Sequence, residues 1–161
     1  MVIQFKKRND GAVVLQFVRP DGSQTGKRYD KHGVFFSHHD LTHYAVETTL
    51  GFKQGFYGLV AGGWDIADTD GQGPRGKPPL EAILVEHIVG LFSSEAIGGN
   101  SPLAAAEFNS QLRAMIDAKG IPLARKFTNS ELHATREYIR SLHTRWASVP
   151  NGAALELTFA L

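Results

Sequence analysis

The sequence predicts an α+β fold: an antiparallel sheet made from the N-terminal strands and the C-terminal strand, packed with about five helices. Three observations predict it. Residues 2–30 hold short apolar runs broken by turn dipeptides, the middle carries helical periodicity with helix-start residues, and residues 154–161 alternate again.

The elements follow in order. Val2-Ile3-Gln4-Phe5 is a β-type run, and Asn9-Asp10-Gly11 is a hairpin signal. Ala12 to Val18 reads as a second strand, Pro20-Asp21-Gly22 as another turn, and Gln24 to Tyr29 as a third strand. Ser37, with Asp40 three residues on, reads as a capping box that opens a helix running to about Leu50, where Gly51 stops it. Gln54 to Gly63 reads as a second helix whose Gly55, Gly58 and Gly62 admit a close neighbour. Asp65 to Pro79 is too rich in Gly, Pro and Asp for helix or strand, and loops of that length often act as lids. Leu80 to Ser93 is apolar on most faces, so it should be a central helix. Ser101-Pro102 reads as the start of a fourth helix, with Gly120 ending it and Pro122 following. Thr128 and Glu131 cap a fifth, reaching about Ala147, with the stripe Leu132, Ile139, Leu142 and Trp146 facing the core. Ala154 to Leu161 should pair with the N-terminal strands and close residues 1–161 into one domain.

Composition excludes several classes of function. The chain has 161 residues, 42% hydrophobic and 20% charged, which is globular. Lys and Arg number 17 against 16 for Asp and Glu, so no general field favours nucleic acid or anionic lipid. The absence of Cys removes thiolate metal sites, disulfides and Cys nucleophiles. The N-terminal segment lacks the apolar core of a signal peptide, and no run has the length of a membrane span, so a cytoplasmic protein is expected.

The chemistry concentrates in Ser37-His38-His39-Asp40-Leu41-Thr42-His43-Tyr44-Ala45-Val46-Glu47. On a helix, residues four apart share a face, so His39, His43 and Glu47 form one row. Two imidazoles at that spacing can ligate one divalent ion. Glu86 and His87 interrupt the apolar third helix, and a buried ionisable group must be paired or bound to a metal. The metal ligands predicted are therefore His39 and His43 with Glu86 or His87, and Asp40 and Glu47 are the candidate catalytic carboxylates. A shell of His and carboxylate without thiolate suits zinc first, with manganese, iron or nickel as alternatives. His38, at the expected first turn, should be exposed.

The pattern His39-Asp40-x-x-His43 resembles the His-Glu-x-x-His helix of zinc metallopeptidases, with Asp where that motif has Glu. In the motif the Glu is the general base, and Asp40 is one methylene shorter. The resemblance therefore implies metal ligation more strongly than peptidase chemistry. His39-Asp40-Leu41-x-His43-Tyr44-x-Val46-Glu47, followed by Gly55-Phe56-Tyr57-Gly58-Leu59-Val60-Ala61-x-Gly63-Trp64-Asp65, resembles a group of uncharacterised small bacterial proteins. That resemblance implies a bacterial source and a stretch that acts as a unit, but no reaction.

Other motifs are weaker. Adjacent His39 and Asp40, with His38 before them, resemble HD-type phosphohydrolases, yet those are all-helical and His32 is the only His further upstream. Asp65, Asp68 and Asp70 lack the spacing of a calcium loop. Gly71, Gly73, Gly76 and Lys77 lack that of a phosphate loop. Arg125, Lys126, Arg136, Arg140 and Arg145 form a modest basic face that Glu131 and Glu137 interrupt. The expected function is a divalent-metal protein that acts as a hydrolase on a small polar substrate. The rival is a non-enzymatic binding or structural module with its histidines in a core hydrogen-bond network. A small-molecule partner is expected and a homo-oligomer is compatible, whereas membrane and nucleic-acid partners are not expected.

Overall fold

The computed structural model describes residues 1–98, 101–117, 119–121 and 125–161. Strands β1 (Val2–Lys7), β2 (Val13–Val18) and β3 (Gln24–Tyr29) come first, and β4 (Ala154–Thr158) comes last. Between them lie helices α1 (Gly33–Leu50), α2 (Phe56–Ala61), α3 (Leu80–Gly98), α4 (Ala105–Asp117) and α5 (Asn129–Ser148). The four strands form one antiparallel sheet in the order β3-β2-β1-β4, so the C-terminal strand does pair with the N-terminal ones.

Alternation sets one apolar face for the sheet. Phe5 sits opposite both Leu15 and Leu155, and Ile3 opposite both Phe17 and Leu157. All six side chains are buried, because a period of two puts every second residue on the same side. Against that face lies α1, which packs on β2, α3 and α5. Trp146 of α5 meets Phe5 at 5.9 Å between ring centroids, joining the last helix to the sheet. The predicted α5 stripe, Leu132, Ile139, Leu142 and Trp146, is buried in the same apolar cluster.

The start of α1 differs from the sequence reading. The helix is already under way at Gly33, with His32 as a left-handed N-cap residue (φ 57°) and no side-chain cap. Ser37 is one turn inside, and its hydroxyl donates to the Gly33 carbonyl at 2.7 Å. The capping box of Ser37 and Asp40 therefore does not form, which leaves the Asp40 carboxylate free for other partners. The C-terminus is as expected. Gly51 takes φ 77° and its N–H, like that of Phe52, donates to the Glu47 carbonyl at 3.0 Å, a conformation that costs Gly little and other residues more.

Three further boundaries shift. Helix α2 is shorter than residues 54–63, while α3 runs past Ser93 to Gly98. Ser101 and Pro102 precede α4 instead of starting it. The helix begins at Ala105, whose N–H donates to Asn129 Oδ1 at 2.8 Å, so its cap comes from another element. Pro122 lies outside the described residues. The 65–79 segment carries one 3-10 turn, Ile66–Asp68, packed on β3. No helix among the described residues is long and apolar enough to cross a membrane.

Candidate metal centre

Helix α1 is the platform. It lies between the sheet and helices α3 and α5, so its residues from Asp40 to Glu47 are buried on almost every side. His39 and His43, one turn apart, meet with ring centroids 4.8 Å apart and planes tilted at 56°. Across from them α3 projects Glu86, and one ligand atom from each of His39, His43 and Glu86 lies within 4.8 Å of the others. This group could hold a metal ion. His43 Nε2 is 3.3 Å from Glu86 Oε1, close to the roughly 3.4 Å edge of a tetrahedron built on ~2.0–2.1 Å bonds. The Glu86 and His39 side chains are 57% and 38% exposed, so packing does not lock either in place.

The other ring nitrogens face carboxylates. His39 Nδ1 lies 3.4 Å from Asp40 Oδ1, and His43 Nδ1 lies 3.5 Å from Glu47 Oε1. The second is a charge contact and not a formed hydrogen bond, so His43 Nδ1 stands as a buried nitrogen without a hydrogen-bond partner. A carboxylate behind each imidazole fixes ring orientation and leaves the opposite nitrogen for an ion.

Both carboxylates are themselves anchored. Asp40 Oδ2 accepts from the buried Tyr29 hydroxyl at 3.2 Å, while the Asp40 carbonyl accepts from Tyr57 at 2.9 Å. Glu47 accepts the N–H groups of Tyr57 (3.2 Å) and Gly58 (3.1 Å), the otherwise unbonded donors at the start of α2. Gly55 makes that approach feasible: a Cβ there would lie 2.5 Å from the Glu47 carboxyl carbon. The predicted closeness of Gly58 to another backbone also holds, since a Cβ would run into the Lys53 carbonyl.

Electrostatics follow from burial and proximity. His43 is 1% exposed. Burial pushes its pKa down, but Glu47 and Glu86 on either side outweigh that and raise it to about 10. Glu86 is pushed up by partial burial, yet His43 and then His39 and His87 hold it below the usual carboxylate range. Without an ion, then, His43 is an imidazolium between two carboxylates, and a divalent cation would take the place of that proton. Tyr57 is raised well above the ordinary phenol by burial and by the nearby Asp40 and Glu47, and stays a neutral donor.

The sequence-predicted residues separate into groups. His39, His43 and Glu86 converge. His87 is not part of that cluster; its Nε2 is buried without a hydrogen-bond partner, and burial followed by the charge of Lys119 lowers its pKa. Adjacent positions on a helix point about 100° apart, so Glu86 and His87 cannot face the same ion. Asp40 and Glu47, expected as catalytic carboxylates, sit behind the histidines and hold α2 and Tyr29. Asp65, Asp68 and Asp70 form no such cluster. On the basic face, Arg136 pairs with Glu95 at 2.7 Å, Arg125 with Glu131 and Arg140 with Glu137.

Sequence reasoning missed the neighbours of this centre. A cleft of about 390 Å³ opens between α1, α3 and α5, with His39 in its wall. His38 is half-buried and not exposed as expected. It stacks on His143 with centroids 4.3 Å apart and planes at 12°. A separation of 105 residues hides that pair in the sequence. No residue of the 65–79 segment lines the cleft, so the segment is not placed as its lid. A comparison with protein-family models, curated proteins and solved structures finds no match.

Proposed function

We propose that this chain binds one divalent cation, zinc first, through His39, His43 and Glu86, and uses it to hydrolyse a small molecule. The observation that carries the reading is the convergence of three ligand atoms from two helices, with Asp40 and Glu47 behind the imidazoles. Two His and one carboxylate leave a fourth position for water or substrate, the pattern of catalytic rather than structural zinc. A bound ion would polarise a carbonyl or phosphoryl oxygen and bring its water towards ionisation at neutral pH. Asp40 and Glu47 act here by orienting imidazoles, and the cleft beside His39 admits the substrate.

Metal analysis of protein purified without an affinity tag tests the ligand set. The expected result is one ion per chain, lost in His43→Ala, weakened in Glu86→Gln and retained in His87→Ala. A chain with no stoichiometric ion, or one whose ion survives His43→Ala, ends this reading. Hydrolysis is checked with small esters and amides: turnover by zinc-loaded protein should vanish in Glu86→Gln.

The second reading, a non-enzymatic module, is favoured by one observation: Glu47 and Tyr57 tie α1 to α2 through hydrogen bonds that need no ion. It expects chelators to leave Tm unchanged. The metal reading expects a drop, because an ion at a hundred times its Kd stabilises the fold by about 2.7 kcal/mol.

A further inference from the structure

The cleft between α1, α3 and α5 has a composition that restricts its occupant. Phe35, Phe92 and Ile139 supply hydrocarbon, and His38, His39 and His143 supply polar atoms. No Asp, Glu, Lys or Arg is among the described residues that line it. Burial and the neighbouring His38 ring lower the His143 imidazole below its usual range. His143 Nε2 lies 3.1 Å from the His38 carbonyl, which can only accept, so that nitrogen carries the hydrogen and Nδ1 keeps its lone pair. Away from the His39 end, a charged group would lose its hydration and gain no opposite charge in return, while an apolar body would gain from leaving water.

His39 belongs both to the cleft wall and to the metal group, so one region of the cleft borders the ion. We propose that the cleft takes an uncharged small molecule with an aromatic or aliphatic body, whose carbonyl or hydroxyl group is directed at His39 and the adjacent ion. The metal-facing end of this assignment rests on the function proposed above, whereas the apolar body does not. Such an occupant is less polar than the small polar substrate expected from the sequence.

Gly90 supplies the test. It lines the cleft on α3, and a Cβ there meets no atom within 4 Å. Gly90→Leu should fill the space with a better helix former and substitutes none of the ion's three ligands. Zinc-loaded protein is titrated with phenylacetohydroxamic acid and with acetohydroxamic acid, two neutral probes that share a chelating head and differ in the body. The phenyl probe should bind on the order of tenfold tighter or more, and that advantage should vanish in Gly90→Leu while zinc stoichiometry and Tm hold.

If the chain takes up no zinc, the metal reading has failed on its own. The cleft is then tested on metal-free protein with N-benzylacetamide against acetamide, followed by NMR. Saturable binding of the benzyl probe that Gly90→Leu abolishes supports the cleft in either arm. A phenyl or benzyl advantage near one, or one that survives Gly90→Leu, overturns it.

Discussion

Single side chains decide the electrostatics of this molecule. In the metal-free protein, His43 carries its proton because Glu47 and Glu86 outweigh the burial that opposes it, and its pKa rises to about 10 from 6.5. A raised folded-state pKa gives stability that is fully present below pH 6.5 and is lost as pH climbs through about 10. Urea unfolding of metal-free protein should therefore show a gap between native protein and His43→Gln that narrows across that window. A gap that widens with pH would contradict the ion pairing. The histidine row was legible because i, i+4 spacing puts His39 and His43 on one face. The role of Asp40 was not, since Ser-x-x-Asp looks like a helix start wherever it occurs. The local pattern carried no sign that the chain is already helical at Gly33, with the carbonyl of the N-cap His32 accepting from Phe36 N–H at 3.0 Å. Glu86 could be told from His87 only once the rotation of α3 was fixed by packing.

At the scale of elements, legibility follows how local the determining contact is. Thr128 and Glu131 satisfy each other within one turn, so the start of α5 could be read directly. The Thr128 hydroxyl accepts the Glu131 N–H at 3.2 Å, and the Glu131 carboxylate accepts the Thr128 N–H at 2.8 Å. Those bonds and Arg125 hold Glu131 down to about 2. A lowered carboxylate contributes stability above its unfolded value of 4.5 that disappears as pH falls towards 2. Thr128→Ala should cost about 1 kcal/mol at neutral pH, and chemical denaturation near pH 2 should find that difference reduced. The start of α4 depends instead on Asn129, 24 residues away. Sequence reasoning placed it at Ser101-Pro102 because a proline so often opens a helix. The glycines of α2 were legible as close contacts, but not that Glu47 was among the groups approaching.

For the whole molecule, the sheet order was readable in outline: alternation at both ends of the chain implied that they pair. It could not give the packing of α1 between sheet and helices, which follows from three-dimensional fit. The N-terminal ammonium donates to the Phe159 carbonyl at 2.8 Å, and the Phe159 N–H returns a bond to the Met1 carbonyl at 2.9 Å. Contacts 158 residues apart in the chain must wait for a large loop to close. Leu157→Ala, which removes a buried side chain of β4, should cost about 2–5 kcal/mol and act chiefly by speeding unfolding, with the refolding rate nearly unchanged. Stopped-flow chevrons would check this; an equal slowing of refolding would place β4 in the nucleus. On a ribosome the same arrangement has a temporal meaning. Strand β1 emerges ahead of β2 and finds it within a few residues, yet its second flank stays bare until all five helices and then β4 have been translated. That flank is a place where a nascent chain can capture a neighbour or a chaperone.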